Sequence, residues 1–167
     1  MYPVGARSHP PMHAHQALVT RFYQALARRD GDAMAACYHP EVHFCDEVFD
    51  LHGARAGAMW KMLCARGRDL DVVATAVRAD DAHGFAHWRA DYTFSQTGRA
   101  VRNEIDAAFT FGDGLILTHR DRFSFWAWSR QALGVPGVLL GWTPWLRRKV
   151  AAEATRSLDR FIAKRAA

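Results

Sequence analysis

Residues 84–125 read GFAHWRADYTFSQTGRAVRNEIDAAFTFGDGLILTHRDRFSF, and three runs within them alternate with period two. In the first, Trp88, Ala90, Tyr92 and Phe94 oppose His87, Arg89, Asp91 and Thr93. In the second, Val101, Asn103, Ile105, Ala107, Phe109 and Phe111 oppose Arg102, Glu104, Asp106, Ala108 and Thr110. In the third, Leu117, His119, Asp121, Phe123 and Phe125 oppose Thr118, Arg120, Arg122 and Ser124. Successive side chains on a strand point to opposite faces, so each run predicts a strand with one apolar and one polar face. Gln96-Thr97-Gly98 is a turn, and Asp113-Gly114 is a two-residue hairpin signal. One-sided alternation across linked runs predicts an antiparallel sheet with a single buried face.

Upstream the period changes to that of helices. Leu18, Val19, Phe22, Tyr23, Ala25 and Leu26 recur at three-to-four spacing and predict a helix over 13–29. Asp30-Gly31-Asp32 stops it, and Asp32 reads as the N-cap of a short helix over 33–38, ended by His39-Pro40. A short strand over 42–46 sets Val42, Phe44 and Asp46 on one side. A helix over 54–66 turns Ala56, Met59, Trp60 and Leu63 inward, and a Val-, Ala- and Thr-rich strand covers 70–79. After the sheet, Ser129 reads as the cap of a short helix over 130–133. Thr143-Pro144 starts a final helix over 145–164, with Leu146, Val150, Ala154, Leu158 and Phe161 as its apolar stripe.

A chain of 167 residues with 50% hydrophobic content predicts one domain with its own core and excludes a low-complexity chain. Residues 1–12 are expected to be extended or disordered, 13–126 to form the domain with a pocket, and 127–167 to pack on it as an apolar segment and a basic amphipathic helix. The net charge of +5 is uneven: +6 from Trp126 onward and −1 before it. Seven basic residues between Arg147 and Arg165 leave nucleic-acid or membrane-surface binding as a weaker reading, with a solvated helix face as the ordinary one. The tail lacks the interleaved aromatics of a single-strand binder, so no nucleic acid is expected. Cys37, Cys45 and Cys64 have no paired spacing, which fits a reduced compartment. No apolar signal region occurs before His15, and the uncharged stretch 131–146 is too short and too broken by Gly and Pro to span a bilayer. The expectation is a cytoplasmic protein without a transmembrane segment.

The order of helices, strand and three long antiparallel strands resembles the nuclear transport factor 2-like superfamily. The resemblance rests on 22–38, on the run Tyr38-His-Pro-Glu-Val-His-Phe-Cys-Asp46, and on Phe111-Gly-Asp-Gly-Leu-Ile with His119-Arg-Asp-Arg-Phe123. It implies an α+β cone, a curved antiparallel sheet wrapped as a barrel around N-terminal helices, here with an extra C-terminal helical tail. That superfamily includes ketosteroid isomerases, SnoaL-like polyketide cyclases and limonene-epoxide hydrolases, which act on apolar molecules without a cofactor. The same cone also houses plain binding modules, so the site must decide.

Asp46 shares its expected face with two core residues, which would desolvate its carboxyl and raise its pKa toward that of a general base. The resemblance places it at the isomerase base, a family that also serves as a standard case of carboxyl tuning. The alternative is an aspartate capping the next turn. His119 and Asp121, two apart on one strand, share a face, and Asp121 resembles the acid that the cyclases and epoxide hydrolases carry there; the alternative is a buried pair that holds the sheet. Of the two carboxylates, Asp46 is expected to carry the raised pKa. Tyr23, Tyr92 and Asn103 are candidate polar donors, and Trp60, Trp88 and Phe123 candidate apolar walls of the substrate site. Arg89, Asp91 and Asp106 fall out of phase and are expected outside, so the isomerases' second acid is replaced by Ala107. Neither His13 with His15 nor His39 with His43 has convincing ligand spacing, so no metal and no cofactor are expected. The charged outer face of the sheet is self-complementary and predicts a homodimer.

Overall fold

The structure, a computed structural model, describes residues 12–166, so the expectation for residues 1–11 lies outside the described range. Helices α1 (Ala14–Ala27) and α2 (Gly31–Ala36) lead into a hairpin of β1 (Tyr38–Cys45) and β2 (Asp50–His52), then α3 (Ala54–Arg66). Strands β3 (Asp71–Ala79), β4 (His83–Phe94), β5 (Arg99–Gly112) and β6 (Leu115–Arg122) follow. Helices α4 (Phe125–Leu133), α5 (Val135–Leu140) and α6 (Pro144–Ala166) complete the chain.

The α+β cone expected from the sequence is present, with two differences. The six strands run in the order β2-β1-β6-β5-β4-β3, an open curved sheet rather than a closed barrel. The sheet is also not wholly antiparallel, because β1 lies parallel to β6. The edges are blunted: β2 has only three residues, and β3 is bulged between Thr75 and Arg78, where Ala76 takes a positive φ.

The long hairpins follow the alternation. Ala86, Trp88 and Ala90 of β4 and Val101, Ile105, Ala107 and Phe109 of β5 are buried, while Arg102, Glu104 and Asp106 face water. Asp113 and Gly114 both take positive φ (52° and 76°), the geometry of a tight twisted hairpin turn. β6 departs from strict alternation. Thr110 faces Thr118 but Phe111 faces Ile116, so a bulge at Leu117 reverses the phase. Ile116, not Leu117, therefore enters the core, while His119 and Asp121 stay inward as expected.

Several local expectations shift. Asp30 caps α2 by accepting from the Ala33 N–H at 2.9 Å, while Asp32 sits in the first turn and pairs with Lys61 at 2.7 Å. Leu63 lies at the partly open rim of α3 instead of its buried face. Ser124 rather than Ser129 caps α4, since β6 pairing ends at Arg122 and the Ser124 hydroxyl accepts from the Ala127 N–H. Ser129 is buried and bonds the carbonyls of Trp126 and Gly137. Among the described residues, no helix is long and apolar enough to cross a membrane.

The tail is fastened to the sheet and to α3. Gln131 exchanges two hydrogen bonds with the Arg102 backbone, Trp128 donates to the Tyr92 hydroxyl at 2.8 Å, and Thr97 donates to the Ala132 carbonyl. Arg147 pairs with Glu47, Arg55 with Asp159, and Arg66 donates to Ser157. α5 meets α4 so closely that a Cβ on Gly137 would lie 1.9 Å from the Ser129 carbonyl oxygen. Gly137→Ala should therefore cost about 1–3 kcal/mol, the usual penalty of overpacking. In calorimetry that is a fall of several degrees in Tm; an unchanged Tm would mean that α5 is not seated on α4.

Candidate active site

A cavity of about 550 Å³ lies between the inner sheet face, α3 and the tail helices. Its wall on the sheet is Trp88, Ala90, Tyr92, Asn103, Ile105, Asp121 and Phe123; Met59, Trp60 and Leu63 come from α3, and Leu140, Trp145, Leu146 and Val150 from the tail. Two alanines flank the polar wall residues across the sheet. Ala90 sits across the sheet from Asn103, and Ala107 across from Asp121, so each polar group has a small neighbour beside it.

Asp121 is the end of a hydrogen-bonded chain through the core. Trp60 Nε1 lies 2.7 Å from Tyr38 Oη, Tyr38 Oη 2.8 Å from His119 Nδ1, and His119 Nε2 2.9 Å from Asp121 Oδ1. An indole N–H can only donate, so Tyr38 accepts from Trp60 and keeps its own proton for Nδ1. A carboxylate can only accept, which assigns a proton to Nε2 facing Asp121. His119 is enclosed by Phe22, Phe44, Phe109 and Trp60, with ring centroids 4.4–6.1 Å away, and it does not reach the cavity. It acts on the cavity only through Asp121. Tyr38 was not legible as a site residue, although a histidine on an apolar strand face needs two partners and Trp60 was already turned inward.

Asp46 stands one residue beyond β1, where the chain turns into β2. Its Oδ1 accepts from the N–H groups of Val48 (2.7 Å) and Phe49 (2.6 Å), and its own N–H donates to the Phe49 carbonyl. One oxygen therefore caps the turn, and Asp46 also lines the cavity together with Asp121. Desolvation pushes its pKa to about 7; the two N–H donors pull the other way, and the charge of Asp121 adds to the rise.

Two buried donors lack partners among the described residues, Tyr23 Oη and Trp88 Nε1. Burial, then the charge of Asp121, holds the Tyr23 hydroxyl well above its ordinary pKa, so it stays a donor. Trp88 lines the cavity, whereas Tyr23 lies behind the wall with its ring centroid 5.7 Å from that of Trp88. Of the anticipated substrate residues, Trp60, Trp88, Tyr92, Asn103 and Phe123 line the cavity and Tyr23 does not; the Tyr92 hydroxyl accepts from Trp128 and keeps its own proton to donate.

Arg89, Asp91 and Asp106 lie on the outer face as their phase requires. Asp91 accepts from Arg89 and Arg102, and His87 bridges Glu104 and Asp106. A second cleft of about 540 Å³ is lined by Tyr38, Pro40, Lys61 and Phe161 among others, with no carboxylate among the described residues of its wall. On the β1–β2 hairpin, His43, Asp50 and His52 bring their ligand atoms within 4.8 Å of one another, on the surface and outside the cavity wall.

The sequence profile described as SnoaL-like domain matches residues 19–119. Comparison with curated proteins finds no match. Among solved structures, the chain is similar to an LEH-like epoxide hydrolase of M. tuberculosis (TM-score 0.58, 19% identity, covering 76% of this chain and 96% of that one). It is similar also to a candidate SnoaL-like polyketide cyclase from Jannaschia sp. CCS1 (0.64, 16%, 78% and 99%). A hypothetical protein of ketosteroid isomerase-like fold from Catenulispora acidiphila DSM 44928, in complex with trimethylamine, gives 0.63 at 15% identity, covering 76% and 97%. These identities establish the fold.

The raised pKa of Asp46 has a consequence for stability. Between the unfolded value near 3.8 and the folded value near 7, the folded state holds the extra proton. Stability from this group is therefore present below about pH 4 and is lost as pH rises through about 7. Denaturant titrations of the wild type and Asp46→Asn should show the wild type losing ground to the variant over that window. A difference constant with pH would show that Asp46 titrates normally.

Proposed function

The chain belongs to the SnoaL-like domain family, and on that premise we propose that it is a small cofactor-independent enzyme that moves a proton on an apolar small molecule. One observation carries this reading: Asp46, with its pKa near 7, shares a mostly apolar cavity with Asp121. A base is most effective when its pKa lies near the working pH. Neighbours described as an epoxide hydrolase and a candidate polyketide cyclase support the choice of chemistry.

In the proposed step Asp46 Oδ2 takes a proton from a carbon beside a carbonyl. The C–H electron pair moves into the enolate, and Asp46 returns the proton to product. Asn103, in the cavity wall, is the donor for the developing oxyanion, worth about 2.7–4 kcal/mol where such a donor has been removed elsewhere. Asp121, fixed by His119 and Tyr38, supplies a charge that keeps Asp46 basic, or in an epoxide substrate orients the attacking water. Three free cysteines fit a reducing cytoplasm. The outer sheet face, with Arg89, Asp91, Arg102, Glu104 and Asp106, supports a homodimer in back-to-back contact. Light scattering at micromolar concentration should give twice the 18.8 kDa chain mass, and a mass of 18.8 kDa would rule the dimer out.

The deciding experiment is a screen of enones, epoxides and polyketide-like ketones with the wild type and Asp46→Asn. The wild type should turn over one class, with a rate that climbs through about pH 7 as Asp46 loses its proton. Asp46→Asn should lower that rate by roughly 10²–10⁴ while an apolar ligand still binds. No turnover in any class, with binding retained, would assign the cavity to a non-catalytic ligand-binding module.

A further inference from the structure

The apolar residues of the tail divide between the cavity and the solvent. Leu133, Leu140, Trp145 and Leu146 line the cavity. Val135 (70% exposed), Leu139 (63%) and Trp142 (75%) project into solvent, with Trp126, Val138 and Trp145 partly exposed beside them.

This exposure is built into α5. The helix has no other buried residue than Gly137, so its glycine side faces the protein and its Val and Leu side faces outward. Gly141 seals the same contact, since a Cβ there would lie 2.1 Å from Ser129 Oγ. A helix end normally leaves its last carbonyls to water, but here each one is bonded within the protein. Gly137 O accepts from Gly141 N–H and Ser129 Oγ, and Val138 O from the Trp126 indole. Leu139 O accepts from the Trp142 indole, and Leu140 O from the Thr143 N–H and hydroxyl. Saturated backbone groups are what a segment needs to leave water for a less polar phase. The same bonds occupy two tryptophan N–H groups.

The surroundings select the phase. Arg130 lies 4.8 Å over the Trp126 ring and Lys149 5.1 Å over the Trp145 ring, with Arg148 exposed next to it, in a tail of net charge +6. Apolar side chains and tryptophans framed by arginine and lysine match the acyl boundary and anionic headgroups of a bilayer. Leu140, Trp145 and Lys149 are exposed and also line the cavity, so this face is continuous with its mouth.

We propose that α5 with its flanking tryptophans is an interfacial docking surface for anionic bilayers, which sets the cavity mouth against the lipid so that an apolar ligand enters from the membrane. The surface is independent of whether the cavity is catalytic. The test is flotation of the full chain with phosphatidylcholine vesicles and with mixed phosphatidylcholine–phosphatidylserine vesicles, with indole quenching by brominated acyl chains as second readout. The chain should float with the anionic vesicles and be quenched. Val135→Ser with Leu139→Ser should abolish flotation without lowering Tm, and Arg130→Gln and Arg148→Gln should each weaken binding roughly five-fold. Failure of the wild type to float, or flotation indifferent to the serine substitutions, would overturn the proposal. So would a serine variant that dissociates an oligomer of a wild type that ignores vesicles, which would make this a contact between copies of the chain.

Discussion

The hydrogen-bonded chain from Trp60 through Tyr38 and His119 to Asp121 is the constraint around which the interior is arranged. An imidazole and a carboxylate buried among aromatic rings are costly unless every polar atom is paired. Here each pairing comes from a different element: α3 supplies Trp60, β1 supplies Tyr38, and β6 supplies His119 and Asp121. The parallel pairing of β1 with β6, the bulge at Leu117 and the approach of α3 to the sheet must all be right before the chain can close. Its end point is a carboxylate whose position in the cavity wall is fixed to within hydrogen-bond tolerance.

That fixed charge makes Asp46 different from Asp121. Asp46 stands on a hairpin loop, holds the loop shut with one oxygen, and has burial as the main influence on its carboxyl group. Two carboxylates in one apolar cavity repel, and the charge of Asp121 adds to the rise that burial imposes on Asp46 against its two N–H donors. The tail completes the surroundings, because Glu47 beside Asp46 is tied to Arg147 of α6, and α4 and α6 supply part of the cavity wall.

Much of this was legible from residues alone. Clean alternation in β4 and β5, a positive-φ pair at Asp113-Gly114, and the stripe of α1 fixed the cone, because burial on one face leaves little choice of register. His119 and Asp121 were legible as inward because two charged positions fell on an apolar face. The bulge was not, since alternation cannot tell Ile116 from Leu117 when both are apolar. The cap of α4 was misplaced because Ser124 and Ser129 carry the same local signal, and only the end of β6 pairing chooses between them. Tyr38 escaped notice because its partners are 22 and 81 residues away. The outward face of α5 ran against the rule that apolar residues are covered, and no local pattern marks an exception whose cause is the close approach of Gly137 to Ser129.

The central claim is that one fixed and one adjustable carboxylate share the cavity, and carbon-edited NMR titration of the aspartate carboxyls in the intact chain reads it directly. The Asp46 midpoint should lie near pH 7 and fall when Asp121→Asn removes the neighbouring charge. An Asp46 midpoint near the ordinary aspartate value of about 3.9, unmoved by that substitution, would contradict it.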